Sequence, residues 1–353
     1  MLTLFLFPAF TVSGQITRNI LIAICLLCSH PTMPKKLREP GILLIAWFAW
    51  AIFCSFISDN WLMSLFGYHR RFEGLNTWVL AIAFGWLFWR TSHLIRLLGT
   101  CLLIMTICLV MMIWKPDIYG QIMFGHIAIA AFVTVASAMM MSERWYAVLI
   151  PLPFIYLTQN RSIILGMLAA SACYVAMNRK LIHKNQWKVM GAIAILTLFV
   201  AWPKLKHVNP SEMGHGMRSQ TAVKAIEFAT LKPLTGYGID TQSTLFGSDM
   251  GEFNEIRPSD GRIVKIPFTI DRCHNFFLDI LVQTGVIGLI LWLFILTRIV
   301  YGAFSFPSQV NTACLYGTAS AISFSLLNPM GIPSMILLCV CVMGIEKKEE
   351  VQL

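Results

Sequence analysis

His274-Asn275-Phe276-Phe277-Leu278-Asp279-Ile280-Leu281-Val282-Gln283-Thr284-Gly285-Val286-Ile287-Gly288 places a histidine at the lip of an apolar run. The run continues to about Thr297, long enough to cross a hydrocarbon core that needs about 20 apolar residues. Immediately before it lies the only extended polar stretch of the chain, residues 203–273. Of the 353 residues, 57% are hydrophobic and only 12% are charged, against about 25% charged in soluble domains. That deficit of charge defines a polytopic integral membrane protein. The net charge of +10 is read as an orientation signal, not as a nucleic-acid surface.

Working outward, apolar runs fall at about 1–13, 16–29, 41–58, 74–89, 93–114, 121–141, 145–157, 162–177, 189–202, 275–297, 309–327 and 331–345. The expected architecture is all-α, with about 12 transmembrane helices and one large extracytoplasmic loop that itself contains helices. Helices 1–9 occupy residues 1–202, the loop residues 203–273, helices 10–12 residues 274–346, and a cytoplasmic tail residues 347–353. Met1 to Val12 has no basic region ahead of its apolar stretch and reads as a first membrane segment, not a cleaved signal. Several runs are short for a span, which suggests helices buried by their neighbours or a locally thinned bilayer.

Lysine and arginine in short connections set the orientation. With both termini inside, the cytoplasmic connections hold Lys35, Lys36, Arg38, Arg90, Arg96, Arg144, Arg179, Lys180, Lys184, Lys188, Arg298, Lys347 and Lys348. The opposite connections hold only Arg70, Arg71, Lys115 and Arg161, with Arg18 near a span end. The large loop is therefore expected outside the cytoplasmic membrane. Most of the ten cysteines sit inside apolar runs, where they act as small hydrophobes. Only Cys273 lies near the loop, and no CxxC…CxxC or His/Cys metal spacing occurs.

Within the loop, residues 217–231 read as a helix closed by Pro233, with Ala222, Ile226 and Ala229 on one face. Leu234-Thr235-Gly236-Tyr237-Gly238-Ile239-Asp240 reads as a tight turn. Residues 247–272 are polar and mixed in charge, and are expected to lie over the membrane surface.

Three pieces carry chemistry. Thr158-Gln159-Asn160-Arg161-Ser162 puts Arg161 at the outer mouth of a helix. Gly216-Met217-Arg218 opens the loop helix that leads to Pro233 and the Gly-Tyr-Gly turn. His274-Asn275 precedes the long apolar run with Gly285 and Gly288 spaced along it. Arginine binds phosphate through paired N–H donors and stays charged. Arginines and an imidazole at a bilayer surface suit a lipid diphosphate. Each residue also has a structural alternative: His274 as a helix cap, Arg161 snorkelling to lipid phosphate, Arg218 pairing with loop acids, and Arg70 and Arg71 as anionic-lipid anchors.

From about Gln159 to Gly288 this constellation resembles the O-antigen ligase and O-antigen polymerase superfamily. Two departures stand out: polar Thr221 and Lys224 where many members carry an aromatic residue, and Gln283 where many carry glutamate. The resemblance implies a membrane glycosyltransferase that moves a glycan from undecaprenyl diphosphate to a lipid A-core acceptor by metal-independent inversion, with no cofactor and no metal. It equally accommodates a polymerase joining two lipid-linked glycans, or transfer to protein hydroxyls; a transporter or flippase is the rival from another class. It implies His274 as the catalytic base and Arg161, Arg218, Arg70, Arg71 and Arg272 as diphosphate ligands. Asn275, Gln159 and Asn160 would orient substrate. The partners would be the undecaprenyl-diphosphate-linked glycan donor, the lipid A-core or glycan acceptor and the lipid bilayer, with no nucleic acid. The setting would be the bacterial inner membrane, with the active site on the periplasmic face.

Overall fold

The computed structural model describes residues 39–67, 74–88, 123–152, 154–155, 160, 162–179, 213–247, 252–256, 263–267, 272–328 and 332–345. Helices occupy the expected runs: α1 Glu39–Phe56, α3 Leu75–Phe88, α4 Met123–Met140, α5 Ser162–Asn178, α8 Phe276–Ser305, α9 Gln309–Phe324 and α10 Ile332–Gly344. A short α2, Trp61–Phe66, turns the corner after α1. In the polar stretch lie α6 Met213–Leu231 and α7 Gln242–Gly247. The runs expected at 1–13, 16–29, 93–114 and 189–202 lie outside the described residues.

Two expectations change. Residues 145–157 open with a 3-10 turn at Trp145–Leu149, and α-helical backbone resumes at Leu152, where Ile155 N donates to Pro151 O at 3.1 Å. The segment 247–272 contains a hairpin, β1 Glu252–Ile256 paired antiparallel with β2 Ile263–Pro267, in the register Asn254 opposite Lys265. Its Phe, Ile and Val content favours strands over open loop. The described residues are otherwise helical.

The helices differ in what surrounds them. α10 is buried on all sides from Ser334 to Ile345, and α4 is buried from Ala130 to Met139. They pack against α3 and α9. A helix apolar all round is stable only in such a setting, which accounts for spans too short to stand alone in lipid. α1 and α8 instead turn Ile42, Ile45, Phe53, Ile290, Leu293, Phe294 and Phe304 outward. Such a surface favours hydrocarbon over water, and these two are long and apolar enough to cross a membrane. α1 and α8 seat on each other through Trp47 and Trp292, edge-on at 5.3 Å; Trp78 of α3 meets Trp47 at 4.7 Å, and Phe276 meets Trp292 of the same helix at 5.1 Å.

α8 is one element with a break. Gly285 has φ +66° and ψ −171°, a combination essentially confined to glycine. A break frees backbone groups, and unpaired ones are costly away from water. The loop turn pairs them. Tyr237 N donates to Val282 O at 2.9 Å, Gly238 N to Gln283 O at 2.9 Å, and Val286 N to Pro233 O at 2.8 Å. Trp50 Nε1 on α1 donates to Thr284 O at 2.9 Å. A Cβ on Gly285 would overlap the Leu234 carbonyl oxygen. The Pro233–Gly238 turn and the Gln283–Gly285 stretch are therefore two halves of one joint.

The joint makes a specific demand on stability. Gly285→Ala should lower the thermal unfolding midpoint of the purified protein, since a side chain in that conformation costs about 1–3 kcal/mol before any steric overlap. An unchanged midpoint would show that α8 can run unbroken through this point.

Candidate functional site at the loop end of the bundle

The ends of α1 and α8 are distinguishable. Arg298 Nη1 meets Glu39 Oε2 at 3.6 Å at one end. About 25 Å away along α1, at 1.5 Å per residue, the loop docks. There Ile239 N donates to Ser55 Oγ at 3.1 Å, and Lys232 Nζ meets Asp59 Oδ2 at 3.4 Å and lies 4.8 Å from the Tyr237 ring centroid. Gly238 rests on the α1–α2 corner, close to Ser64 Oγ. Burial, and secondarily the Asp59 carboxylate, push the Tyr237 hydroxyl up.

His274 follows the docked loop, two residues before α8. Its backbone is left-handed, φ +54°, a conformation that costs a non-glycine residue about 1–2 kcal/mol. Its ring is half-buried with Nδ1 inside. Asn275 is the N-cap of α8: its Oδ1 accepts from Phe277 N at 3.1 Å and Leu278 N at 3.2 Å. The cap role, one alternative for His274, thus falls to its neighbour. Phe276 N donates to Ser325 O at 3.0 Å, tying the histidine segment to the end of α9.

Under His274 lies a buried polar cluster. Asp279 Oδ1 accepts from Cys273 N at 2.9 Å and from Gln242 Nε2 at 3.3 Å. Gln242 Oε1 in turn accepts from Gln283 Nε2 at 2.9 Å. Arg272 Nη2 donates to Asp240 Oδ1 at 3.1 Å, and both side chains are buried. Asp240, like His274, has positive φ, +57°. Burial, then the Asp279 carboxylate, push the Cys273 thiol well above its ordinary range, and Arg272 only partly offsets this.

The Arg161 motif reaches the same place through α9. Ser162 N donates to Asn160 Oδ1 at 3.0 Å, an ST/Asx-type turn that starts α5. Asn328 Nδ2, just beyond α9, donates to Asn160 Oδ1 at 3.0 Å and also to Ser162 Oγ. Ser325 and Asn328 therefore stitch the histidine segment to the residues on either side of Arg161. Gln159, Arg161, Arg70 and Arg71 lie outside the described residues, as does the side chain of Arg218, whose backbone is in α6. Gly67, at the end of α2, and Gly74, just before α3, lie against each other.

Residues 146–293 match the O-antigen ligase family. No curated protein matches the chain. The family segment contains the Arg161 motif, α6, the joint, the polar cluster and His274, and bears out the resemblance carried by those motifs. The family is membrane-integral, and its members are membrane glycosyltransferase-like enzymes with lipid-linked glycan substrates. Among the described residues of this family domain and its surroundings, no group of three or more His, Cys, Asp or Glu side chains is arranged to hold a metal ion.

Sequence reasoning missed several residues here. Asp279 stands inside an apolar run, a position where a carboxylate is costly and usually has a task. Asn328 lies outside the matched segment. The stripe of α6 that faces inward is Thr221, Ala225 and Ala229, while Ile226 is 53% exposed. Of the expected common face Ala222–Ile226–Ala229, only Ala229 is buried where the helix docks on α8.

The Arg272–Asp240 pair should be a stability determinant. Arg272→Ala or Asp240→Ala alone is expected to cost about 3–5 kcal/mol by stranding a buried charge, and the apolar pair Arg272→Met/Asp240→Leu to recover most of that. Thermal unfolding of the three variants measures it; equal midpoints for single and double variants would contradict the assignment.

Proposed function

We propose that this protein is an O-antigen ligase-type glycosyltransferase that moves a glycan from undecaprenyl diphosphate to a lipid A-core acceptor on the periplasmic face of a bacterial inner membrane. The observation that carries the reading is the hydrogen-bonded chain of segments at one end of the bundle. It runs from the α1–α2 corner through the Gly236–Gly238 turn, the head of α8 and the end of α9 to the start of α5. The residues flanking Arg161 are tied to that chain through Asn328, and α6, which carries Arg218, leads into its turn. The end is opposite to the Glu39–Arg298 pair, as the distribution of lysine and arginine between connections requires. In this reading the bundle has about 12 membrane helices.

The mechanism follows from charge. A diphosphate is already a competent leaving group, so the protein needs to hold it and neutralise what departs. Arg161 and Arg218 bind its oxygens, with Arg70 and Arg71 at the rim. Arg272, neutralised by Asp240, acts by fixing the loop beneath the site. The acceptor hydroxyl oxygen attacks the anomeric carbon from the face opposite the diphosphate. The new C–O bond forms as the bond to the diphosphate oxygen breaks, and configuration inverts. His274 takes the hydroxyl proton; with Nδ1 buried, Nε2 is the nitrogen assigned to it. Imidazole suits the task because its unperturbed pKa lies near working pH. Asn275 serves as the cap that aims the histidine, and Asn160 as the brace behind Arg161.

Reconstitution with a defined undecaprenyl-diphosphate glycan and competing acceptors tests this. Glycan attached to rough lipopolysaccharide identifies a ligase; growth on the lipid carrier alone identifies a polymerase. His274→Ala should abolish transfer with membrane insertion intact. Arg161→Ala and Arg218→Ala should each slow transfer by about one to two decades. Near-normal transfer by purified His274→Ala would reject the catalytic assignment.

A further inference from the structure

We infer that Asp279 is a positioning residue for His274, acting through the backbone amide of Cys273. The inference rests on the proposed role of His274 and deepens it.

His274 is held in a backbone conformation it would not adopt unaided, φ +54°. A strained residue persists only where its neighbours over-determine it. On its C-terminal side the restraint is plain: Asn275 caps α8 and Phe276 N is tied to Ser325 O. On its N-terminal side, beyond the Arg272–Asp240 pair, the residue next to the histidine is restrained by a carboxylate oxygen. Asp279 Oδ1 accepts from Cys273 N at 2.9 Å, reaching back over a full turn of α8 to the residue before the histidine.

That oxygen is itself fixed. Asp279 is 6% exposed, and Gln242 Nε2 donates to the same Oδ1 at 3.3 Å. Gln242 is fully buried and is held by Gln283 Nε2 at 2.9 Å. Gln283 lies beside the helix break, where its carbonyl receives Gly238 N. A rigid line therefore runs from the joint at Gly285 through Gln283, Gln242 and Asp279 to the peptide that carries His274. Without Asp279 Oδ1, the Cys273 amide loses its acceptor and the left-handed turn loses its restraint on that side. The imidazole then departs from the geometry proton transfer requires, and small displacements at such a point are costly in rate.

The role is one of geometry, and substitutions separate it from charge. Asp279→Asn keeps an oxygen at Oδ1; Asp279→Glu keeps the charge but moves the oxygen off the Cys273 amide; Asp279→Ala removes both. Transfer from an undecaprenyl-diphosphate oligosaccharide that the full-length wild-type protein turns over should be measured for each variant, alongside its unfolding midpoint. Asp279→Asn should retain kcat within about 3-fold, while Asp279→Ala and Asp279→Glu should lose about 10- to 100-fold in kcat with donor KM within about 2-fold of wild type. Wild-type kcat in folded Asp279→Ala, or a folded Asp279→Asn as slow as Asp279→Glu, overturns the inference. If Asp279→Ala fails to fold, the asparagine and glutamate variants still decide it. His274→Ala in the same assay separates the two levels: an active His274→Ala removes the proposed function itself, whereas an inactive His274→Ala beside a fully active Asp279→Ala removes this inference alone.

Discussion

Backbone groups freed inside a helix must find partners, and in this protein that requirement organises the loop end of the bundle. The break at Gly285 releases carbonyls at Val282, Gln283 and Thr284, and they are taken by Tyr237, Gly238 and Trp50. Three separate stretches of chain, from α1, from the loop and from α8, are thereby locked into one register. Because the partners are close and well aligned, the loop is an integral part of the helical body. Irregular backbone at such depth is tolerated only where protein surrounds it, and Gly285 is fully enclosed.

The same joint explains why so much polarity is buried next to it. Asp240, Gln242, Asp279, Gln283 and Arg272 are all more than nine-tenths buried within an otherwise apolar molecule. Each has a partner: carboxylate with guanidinium, carboxylate with amide, amide with amide. A hydrogen-bonded network of this kind rigidifies its surroundings. Here it lies directly under two residues with left-handed backbone, Asp240 and His274. Strain at the histidine and stiffness beneath it are therefore linked, and the half-buried ring is presented from a fixed base.

Much of this was legible in the sequence, for identifiable reasons. Apolar runs at helical length located α1, α3, α4, α5, α8, α9 and α10, because hydrophobic burial dominates their placement. The glycines at 236 and 238 signalled special backbone, and both have positive φ; the positive φ of Gly285, inside an apolar run, was not signalled. What linear reading missed was pairing. Nothing in the order of residues shows that the turn at 233–238 fits the break at 285, or that Asn328 braces a turn 168 positions earlier. Grouping Ala222, Ile226 and Ala229 on one face left open which face of α6 turns inward; docking on α8 buries Thr221, Ala225 and Ala229. The hairpin at 252–267 was missed because short strands in a polar loop lack a sustained period of two.

The joint between turn and broken helix is made of main chain, and this has an evolutionary corollary. Peptide groups are common to every residue, so the union constrains proline, glycine and geometry while leaving side chains such as Leu234, 58% exposed, without a structural obligation. A lineage can therefore rewrite that outward rim while inheriting the scaffold unchanged.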